Sequence, residues 1–433
     1  MNLRPYQAEG RDFLASRKTA LLADEMRLGK TPQAILAAMK VGAQRILVVC
    51  PAIATTQWVR EWERWAGREA HRLTSALEAY PTSGPDVLVA SYAMARTYVR
   101  ELASGRWDLL IVDESHFAKN PESQRAQAVL GREGLVHAAA RAWLLSGTPA
   151  PNHAGELWPM LRTFGVTKIG YEEFVRHYCV QDYTGKVRGT RESAIPELRK
   201  MLAGFMLRRK RSEVAPEMPP IGMELLYVEP SELCLRDFFL AAEVLITAAE
   251  LQEQIARLEH MADRSPTPAD LAAIREARLY CAAMKAEPLV DHIADAMDRM
   301  ELNQTVVFGW HKLPLELVRG GLVARGVRTA IINGHTPHAE RVDIMDKFQR
   351  GIIKAVVANI AAAGTAIDLS AAQHGYFLEL DWVPGNNAQA ASRLVSLQTK
   401  LPVTYDIVTW RGSADEKVMK SLTRKTRELS MLY

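Results

Sequence analysis

The stretch Leu21-Leu22-Ala23-Asp24-Glu25-Met26-Arg27-Leu28-Gly29-Lys30-Thr31 constrains the fold more than any other. An apolar run leads in and Gly29-Lys30-Thr31 closes it. The helical pattern Pro32-Gln33-Ala34-Ile35-Leu36-Ala37-Ala38-Met39 follows. Strand, tight loop and helix are the layout of a phosphate-binding loop. The first N–H groups of a helix lack backbone partners and point at whatever precedes it. A bare Gly29 lets the backbone approach a phosphate closely. Lys30 adds a positive charge for the β- and γ-phosphates, and Thr31 a hydroxyl for Mg²⁺. Asp24 stands where the generic pattern has its first glycine, so the motif alone reads equally well as an ordinary loop.

A chain of 433 residues is too long for one ordinary core, and two or three domains are expected. It is 48% hydrophobic and 24% charged, the profile of a soluble globular protein. Its net charge of +4 permits nucleic-acid binding without arguing for it. The apolar runs are strand-length, too short for a membrane span, and the first residues lack a signal-peptide core. Cys50, Cys179, Cys234 and Cys281 are far apart, which supports neither a disulfide framework nor a zinc site. A cytoplasmic setting is expected, nucleoid-associated in a prokaryotic or viral source.

Residues 3–16 read as a short amphipathic helix. Ile46-Leu47-Val48-Val49-Cys50 reads as a strand buried on both faces. Trp58, Trp62 and Trp65 recur at helical spacing, and a core-facing stripe is the expectation. Asp86 to Tyr92 reads as another strand. Leu109-Leu110-Ile111-Val112 then runs into Asp113-Glu114. Such a pair is often a mere polar strand end. After a Gly-Lys-Thr loop it reads as Asp113 for the Mg²⁺ shell and Glu114 for the attacking water. Trp143 to Pro149 gives a fifth strand and a small polar turn. Strands alternating with helices imply a parallel, doubly wound sheet with its ligands beyond the strand carboxyl ends.

Residues 153–215 read as helical and end on Arg208-Arg209-Lys210-Arg211, either a nucleic-acid contact or a solvated helix end. Pro216, Pro219 and Pro220 mark a boundary, and long helices are expected over 231–300. A second alternating set of strands then begins at Thr305 and runs to Val408 without a phosphate loop. Two similar sheets with one loop suggest a nucleotide shared across a cleft. Arg393 is the candidate cationic finger from the second lobe.

Taken in order, these pieces resemble a superfamily 2 helicase core of the SWI/SNF type. Within that group the likeness is greatest to the distal, HARP-like annealing-helicase branch. The pieces are Leu3-Arg4-Pro5-Tyr6-Gln7, Asp24 to Thr31, Asp113-Glu114-Ser115-His116, Leu145 to Pro149, Met206 to Arg209, Val307-Phe308 with His311-Lys312, Asn333-Gly334-His335-Thr336, Ala362-Ala363-Gly364-Thr365, and Trp382-Val383-Pro384-Gly385 with Gln389 and Arg393. The resemblance implies two tandem RecA-like α/β lobes, with residues 1–225 as lobe one, 226–284 as a helical insert and 285–433 as lobe two. It implies that Arg4 and Gln7 meet the adenine. Met26, Arg27, Leu28, Gly29, Lys30 and Thr31 line the phosphates, and Thr31 and Asp113 hold Mg²⁺. Glu114 and Lys30 are then catalytic, and Gly364, Gln389 and Arg393 face ATP from lobe two. His116 and Ser146-Gly147-Thr148 would couple ATP state to DNA contacts.

The implied activity is an ATP-dependent translocase or remodeller on double-stranded DNA, forked or branched DNA included, acting as a monomer. The alternative is a nucleotide-responsive DNA-binding scaffold with weak hydrolysis. Arg27 replaces a glycine usual in the family. Ser396 stands where a second arginine is usual, and Gln398 and Thr399 also depart from the pattern. Three residues after Arg393, Ser396 sits one helical turn beyond it and is expected on the same face, leaving Arg393 as the sole finger; the alternative is that 396 faces solvent and a neighbouring cation, Lys400, takes over.

Overall fold

The computed structural model describes residues 2–74, 86–230, 268–363, 367–396, 399 and 401–432. The chain forms two compact units, the first chiefly Met1–Gln181 and Val187–Pro216, the second chiefly Glu217–Thr426.

The first unit carries strands β1 (Thr19–Leu22), β2 (Ile46–Cys50), β3 (His71–Arg72), β4 (Val87–Ser91), β5 (Trp107–Asp113) and β6 (Ala139–Leu145). A small antiparallel hairpin follows, β7 (Cys179–Gln181) with β8 (Val187–Thr190), and then β9 (Met206–Leu207). The main sheet runs β3-β4-β2-β5-β6-β1-β9, and every pairing in it is parallel. All five residues of β2 and of β4 are buried, as a sheet covered on both faces demands. Helices α1 (Pro5–Ala15), α2 (Lys30–Lys40) and α3 (Thr55–Ala66) lead into or out of this sheet. The core behind it includes Leu47, Val49, Leu110, Val112, Leu144 and Phe174.

The second unit carries β10 (Ile221–Tyr227), β11 (Thr305–Gly309), β12 (Thr329–Ile332), β13 (Ala355–Asn359), β14 (His374–Phe377) and β15 (Val403–Thr409). Its sheet runs β10-β15-β14-β11-β13-β12, again wholly parallel. The long helix Pro268–Asp298 lays Ala282, Ala286, Leu289 and Ile293 against Val307, Leu315 and Val357. Two doubly wound parallel-sheet α/β lobes are therefore present, as the alternation of strands and helices implied.

Two stretches differ from the sequence reading. Residues 153–215 are not helical throughout, because they include the β7–β8 hairpin and β9. Met206 and Leu207 become a strand because β1 offers them an open edge, where Leu21 N–H donates to Phe205 O and Ala23 N–H to Leu207 O. Residues 221–225, read as the end of lobe one, form most of a strand that pairs with β15. Of the expected insert, residues 231–267 lie outside the described residues. No helix among the described residues is long and apolar enough to cross a membrane.

Candidate functional site

The loop after β1 and the acid pair after β5 both sit at carboxyl ends of parallel strands in the first unit, where an α/β sheet places its ligands. Gly29 caps α2 at φ 74°, a left-handed conformation natural to glycine. A Cβ there would come within 2.4 Å of the Gln7 side chain. Arg27, also in the loop, takes the same conformation at φ 69°. Lys30 and Thr31 occupy the first turn of α2, which holds no acidic residue and no side-chain cap. Its N–H groups thus suit an anion. The Lys30 ammonium donates to Asp24 O at 2.8 Å and Glu25 O at 3.3 Å. Burial pulls its pKa down, against the opposing charges of Glu114, Asp24 and Asp113.

Gln7 ties α1 to this loop. Its Oε1 accepts from Arg4 N–H at 3.0 Å, and its Nε2 donates to Leu28 O at 3.2 Å. Arg4, Gln7, Leu28 and Gly29 are therefore assembled in one place. Met26 packs so close to Gly147 that a Cβ there would meet its side chain at 2.7 Å and Lys30 Nζ at 3.4 Å. The Ser146-Gly147-Thr148 turn thus adjoins the loop.

Asp113 ends β5 with both carboxylate oxygens engaged. Oδ1 accepts from Glu114 N–H at 2.9 Å, and Oδ2 accepts from Trp58 Nε1–H at 2.8 Å. Burial, reinforced by the Glu114 charge, lifts the Asp113 pKa to about 6. Glu114 adopts φ 48° and ψ 51°. The Tyr92 hydroxyl lies 2.9 Å from Asp113 O and 3.2 Å from Glu114 O, its acceptors. His116 Nδ1 lies 3.0 Å from Ser146 Oγ and 3.3 Å from Glu114 Oε2. Burial, then the Lys119 cation, pulls the His116 pKa down to about 4. One imidazole thus links the acid pair to the Ser146 turn.

The basic run is turned inward. Arg208 Nη1 donates to Ala23 O at 2.9 Å and Gly147 O at 3.0 Å. Arg209 is paired with buried Asp24, and the Arg211 guanidinium lies 3.6 Å from Glu25 Oε2, which also accepts from the Arg211 backbone N–H at 2.6 Å. Three of its four basic residues therefore brace the loop, a reading that neither sequence alternative contained. Asp24, which breaks the generic loop pattern, is the partner that Arg209 requires. Trp58, read as plain core, is core and also a donor to Asp113. Periodicity alone does not distinguish it from Trp62.

In the second unit the helix Pro384–Ala391 starts with Pro384 in its first turn, and Asn386 and Asn387 bond Asp381 just before it. Gln389 is buried in that helix. Arg393 falls in the single 3-10 turn Ser392–Leu394, and its carbonyl accepts from Leu369 N–H at 3.0 Å. Val395 is already extended at φ −102° and ψ 132°. The helical phase therefore ends before Ser396, which instead hydrogen-bonds Thr399 through N–H at 2.9 Å. The expectation that Ser396 shares a helical face with Arg393 does not hold. Gly364, Gln398 and Lys400 lie outside the described residues.

The residues present fit a nucleoside triphosphate with a divalent cation. Gly29 leaves a tight backbone cradle, Lys30 supplies the cation, and two half-buried acids lie within its electrostatic reach.

Residues 6–260 match the SNF2-related domain, and residues 284–397 match the helicase conserved C-terminal domain. The sequence is 28% identical to the DNA annealing helicase and endonuclease ZRANB3 of Bos taurus, over 98% of this chain and 40% of that protein. It is 28% identical to a SWI/SNF-related matrix-associated actin-dependent regulator of chromatin subfamily A-like protein 1 of Xenopus tropicalis, over 99% of this chain and 44% of that one. The chain thus spans less than half the length of these relatives. The Sulfolobus solfataricus SWI2/SNF2 ATPase core, solved in complex with dsDNA, is 21% identical, with 99% of this chain and 92% of that one covered and a TM-score of 0.47.

Proposed function

The chain belongs to the SNF2-related family of helicase-like ATPases, and from that premise we propose that it hydrolyses ATP with Mg²⁺ to translocate on and remodel double-stranded DNA. The observation that carries the reading is the convergence of Lys30, Asp113 and Glu114 beyond the carboxyl ends of the strands of one sheet. In this reading the first turn of α2 and Lys30 bind the β- and γ-phosphates, and Thr31 and Asp113 hold the cation. Gln7 and Arg4 meet the base. Bound Mg²⁺ neutralises charge that develops on the phosphates. Glu114 orients the attacking water. Its carboxylate stands against His116, whose lowered pKa keeps the imidazole neutral at pH 7. The His116–Ser146 contact then relays nucleotide state to the rest of the lobe. Gln389, Arg393 and Gly364 belong to the same catalytic cycle, with Arg393 as the finger of the second lobe.

DNA is held chiefly through its phosphates, with little sequence readout. The relatives named as a DNA annealing helicase support reannealing over strand separation. Forked or branched duplexes are included among the proposed substrates. A monomer in the cytoplasm or nucleoid is the working form. ATP turnover measured with and without duplex DNA, across a salt series, tests this. Stimulation by any duplex, lost steeply with salt, is expected. Stimulation by one sequence alone would refute a sequence-blind translocase.

Ser396 favours a second reading, a nucleotide-responsive DNA-binding scaffold with weak hydrolysis, because a short hydroxyl bonded to Thr399 replaces a cation. Duplex binding that responds to ATP with negligible turnover would establish it.

A further inference from the structure

Asp113 and Glu114 are neighbours in sequence, yet the reading above gives them different tasks. Asp113 must present a carboxylate in one orientation. Glu114 must leave the strand direction and swing its side chain to another place. The terminal torsion of a carboxylate is broad, and a non-glycine residue at positive φ is unusual. Neither posture is self-enforcing, so something must hold each.

Two side chains from other elements of the first unit do so. Trp58 lies on α3, which follows β2, the neighbour of β5 in the sheet. Its indole N–H bonds Oδ2 of Asp113 at 2.8 Å while the Glu114 N–H bonds Oδ1 at 2.9 Å. Donors on opposite oxygens stop the carboxylate rotating and leave lone pairs on each for a cation. Trp58 is itself fixed, being only 2% exposed. A buried indole could bond whatever acceptor is at hand. One turn further along the same helix, however, Trp62 is fully buried and its Nε1 has no acceptor among the described residues. Packing on this helix therefore does not require an acceptor, and the Trp58 bond is a matter of placement.

Tyr92 follows β4 directly. Its hydroxyl is within reach of the carbonyls on both sides of the Glu114 α-carbon, at 2.9 and 3.2 Å. Successive carbonyls alternate along a strand but point the same way in a helical conformation of either hand. One hydroxyl can meet both only when Glu114 leaves the extended form, as its φ of 48° records. Arg27, Arg106, Glu114 and Met300 are the non-glycine residues at positive φ among those described, and of these Glu114 has both flanking carbonyls against one hydroxyl.

We infer that Trp58 and Tyr92 are positioning residues with separate duties: Trp58 aims the Asp113 carboxylate at the divalent cation, and Tyr92 locks the left-handed turn that presents Glu114 to the water. This rests on the assignment of Asp113 to the cation and Glu114 to the water.

The test uses the full chain with Trp58→Phe and Tyr92→Phe, which keep a ring and remove the donor. Trp62→Phe is the packing control on the same helix. Binding of a fluorescent ADP analogue is titrated in EDTA and then against Mg²⁺, alongside kcat and KM for ATP. Trp58→Phe should leave metal-free binding unchanged and raise the Mg²⁺ midpoint about tenfold or more, the usual effect of losing an outer partner of a metal ligand. Tyr92→Phe should leave the Mg²⁺ midpoint and KM unchanged and lower kcat about a hundredfold, within the usual contribution of a positioned base. Trp62→Phe should shift the melting temperature only. Wild-type Mg²⁺ midpoint and kcat in both variants would overturn the inference. So would a Trp62→Phe midpoint displaced as far as that of Trp58→Phe. Asp113→Asn distinguishes the two levels: if it retains Mg²⁺-dependent binding, the assignment of Asp113 itself has failed.

Discussion

Arg209 closes on Asp24 across 185 residues of sequence with two hydrogen bonds, 3.0 Å from Nε to Oδ1 and 2.5 Å from Nη2 to Oδ2. The Asp24 side chain is fully buried. The same guanidinium donates to Tyr6 O and to Gln33 Oε1, so a single cation joins α1, the loop and α2 to the edge beside β9. Gly10 is part of this junction, since a Cβ there would meet Gln33 Oε1 at 1.7 Å. Arg209→Ala leaves a buried carboxylate without its partner, and the expected cost is about 3–5 kcal/mol of stability in the first unit. The double variant Asp24→Asn, Arg209→Met should lose less than Arg209→Ala alone. Urea unfolding of the three proteins checks the ordering.

Lys30→Ala should weaken binding of a labelled nucleotide, because the ammonium is the only side-chain charge proposed for the phosphates from α2. Glu114→Gln should bind nucleotide normally and lose turnover by several orders of magnitude, the range typical of a water-positioning group. Equilibrium binding and single-turnover hydrolysis separate the two defects. Full duplex-stimulated turnover in Glu114→Gln would show that another group orients the water.

His116 gives stability a pH dependence. Its pKa falls from 6.5 to about 4 on folding, so between those values the unfolded chain binds the extra proton. Its contribution is intact above about pH 6.5 and is lost as the pH falls toward 4. Asp113 works in the opposite sense. Its pKa rises from 3.8 to about 6, so its burial costs stability at neutral pH and less as the pH falls. The difference between wild type and His116→Gln isolates the histidine. Wild type should lose about 3 kcal/mol relative to the variant between pH 7 and pH 4. Denaturant midpoints at the two pH values measure it, and a difference that does not change with pH would refute a buried neutral His116.

Lys285 anchors the second unit. Its buried ammonium donates to Leu378 O at 2.6 Å, Val408 O at 2.7 Å and Asp415 Oδ2 at 2.6 Å. It thereby fastens the helix Pro268–Asp298 to the ends of β14 and β15. Lys285→Met fills similar volume but strands two carbonyls and a carboxylate, which should cost about 3 kcal/mol. Unfolding of the full chain should show an early transition that limited proteolysis maps to residues 268–426.

Arg393→Ala should reduce duplex-stimulated hydrolysis by ~10³-fold or more if that guanidinium is the finger. Ser396→Arg should leave turnover unchanged or raise it. With the helix over before Ser396, an arginine there starts from the Thr399 turn and not from the Arg393 face. Values of kcat at saturating duplex decide between these. Near-normal turnover in Arg393→Ala would end the assignment of Arg393.

Local signals carried the architecture. Apolar runs of strand length, Gly29-Lys30-Thr31 before a helical pattern, and Asp113-Glu114 after a buried run are each written within a short stretch of sequence. Their physics is equally local: unpaired N–H groups at a helix start, and side chains delivered at a strand end. Partners distant in sequence were not legible. Nothing around Arg208-Arg209-Lys210-Arg211 says that its cations face a loop 185 positions earlier, and solvent, DNA or a buried aspartate satisfy the same pattern. The tryptophan stripe likewise gives Trp58 and Trp62 equal standing, and only the position that α3 takes in the folded first unit sets one indole on Asp113. Ile221–Tyr227 carries strand propensity, but its place beside β15 depends on an edge built from residues nearly two hundred positions later. The helix after Pro384 reads as continuous, yet it stops before Ser396, where the chain bonds Thr399 instead. Periodicity fixes which face of an element is apolar. Which polar group meets which is decided only when the elements pack and every buried donor must find its acceptor.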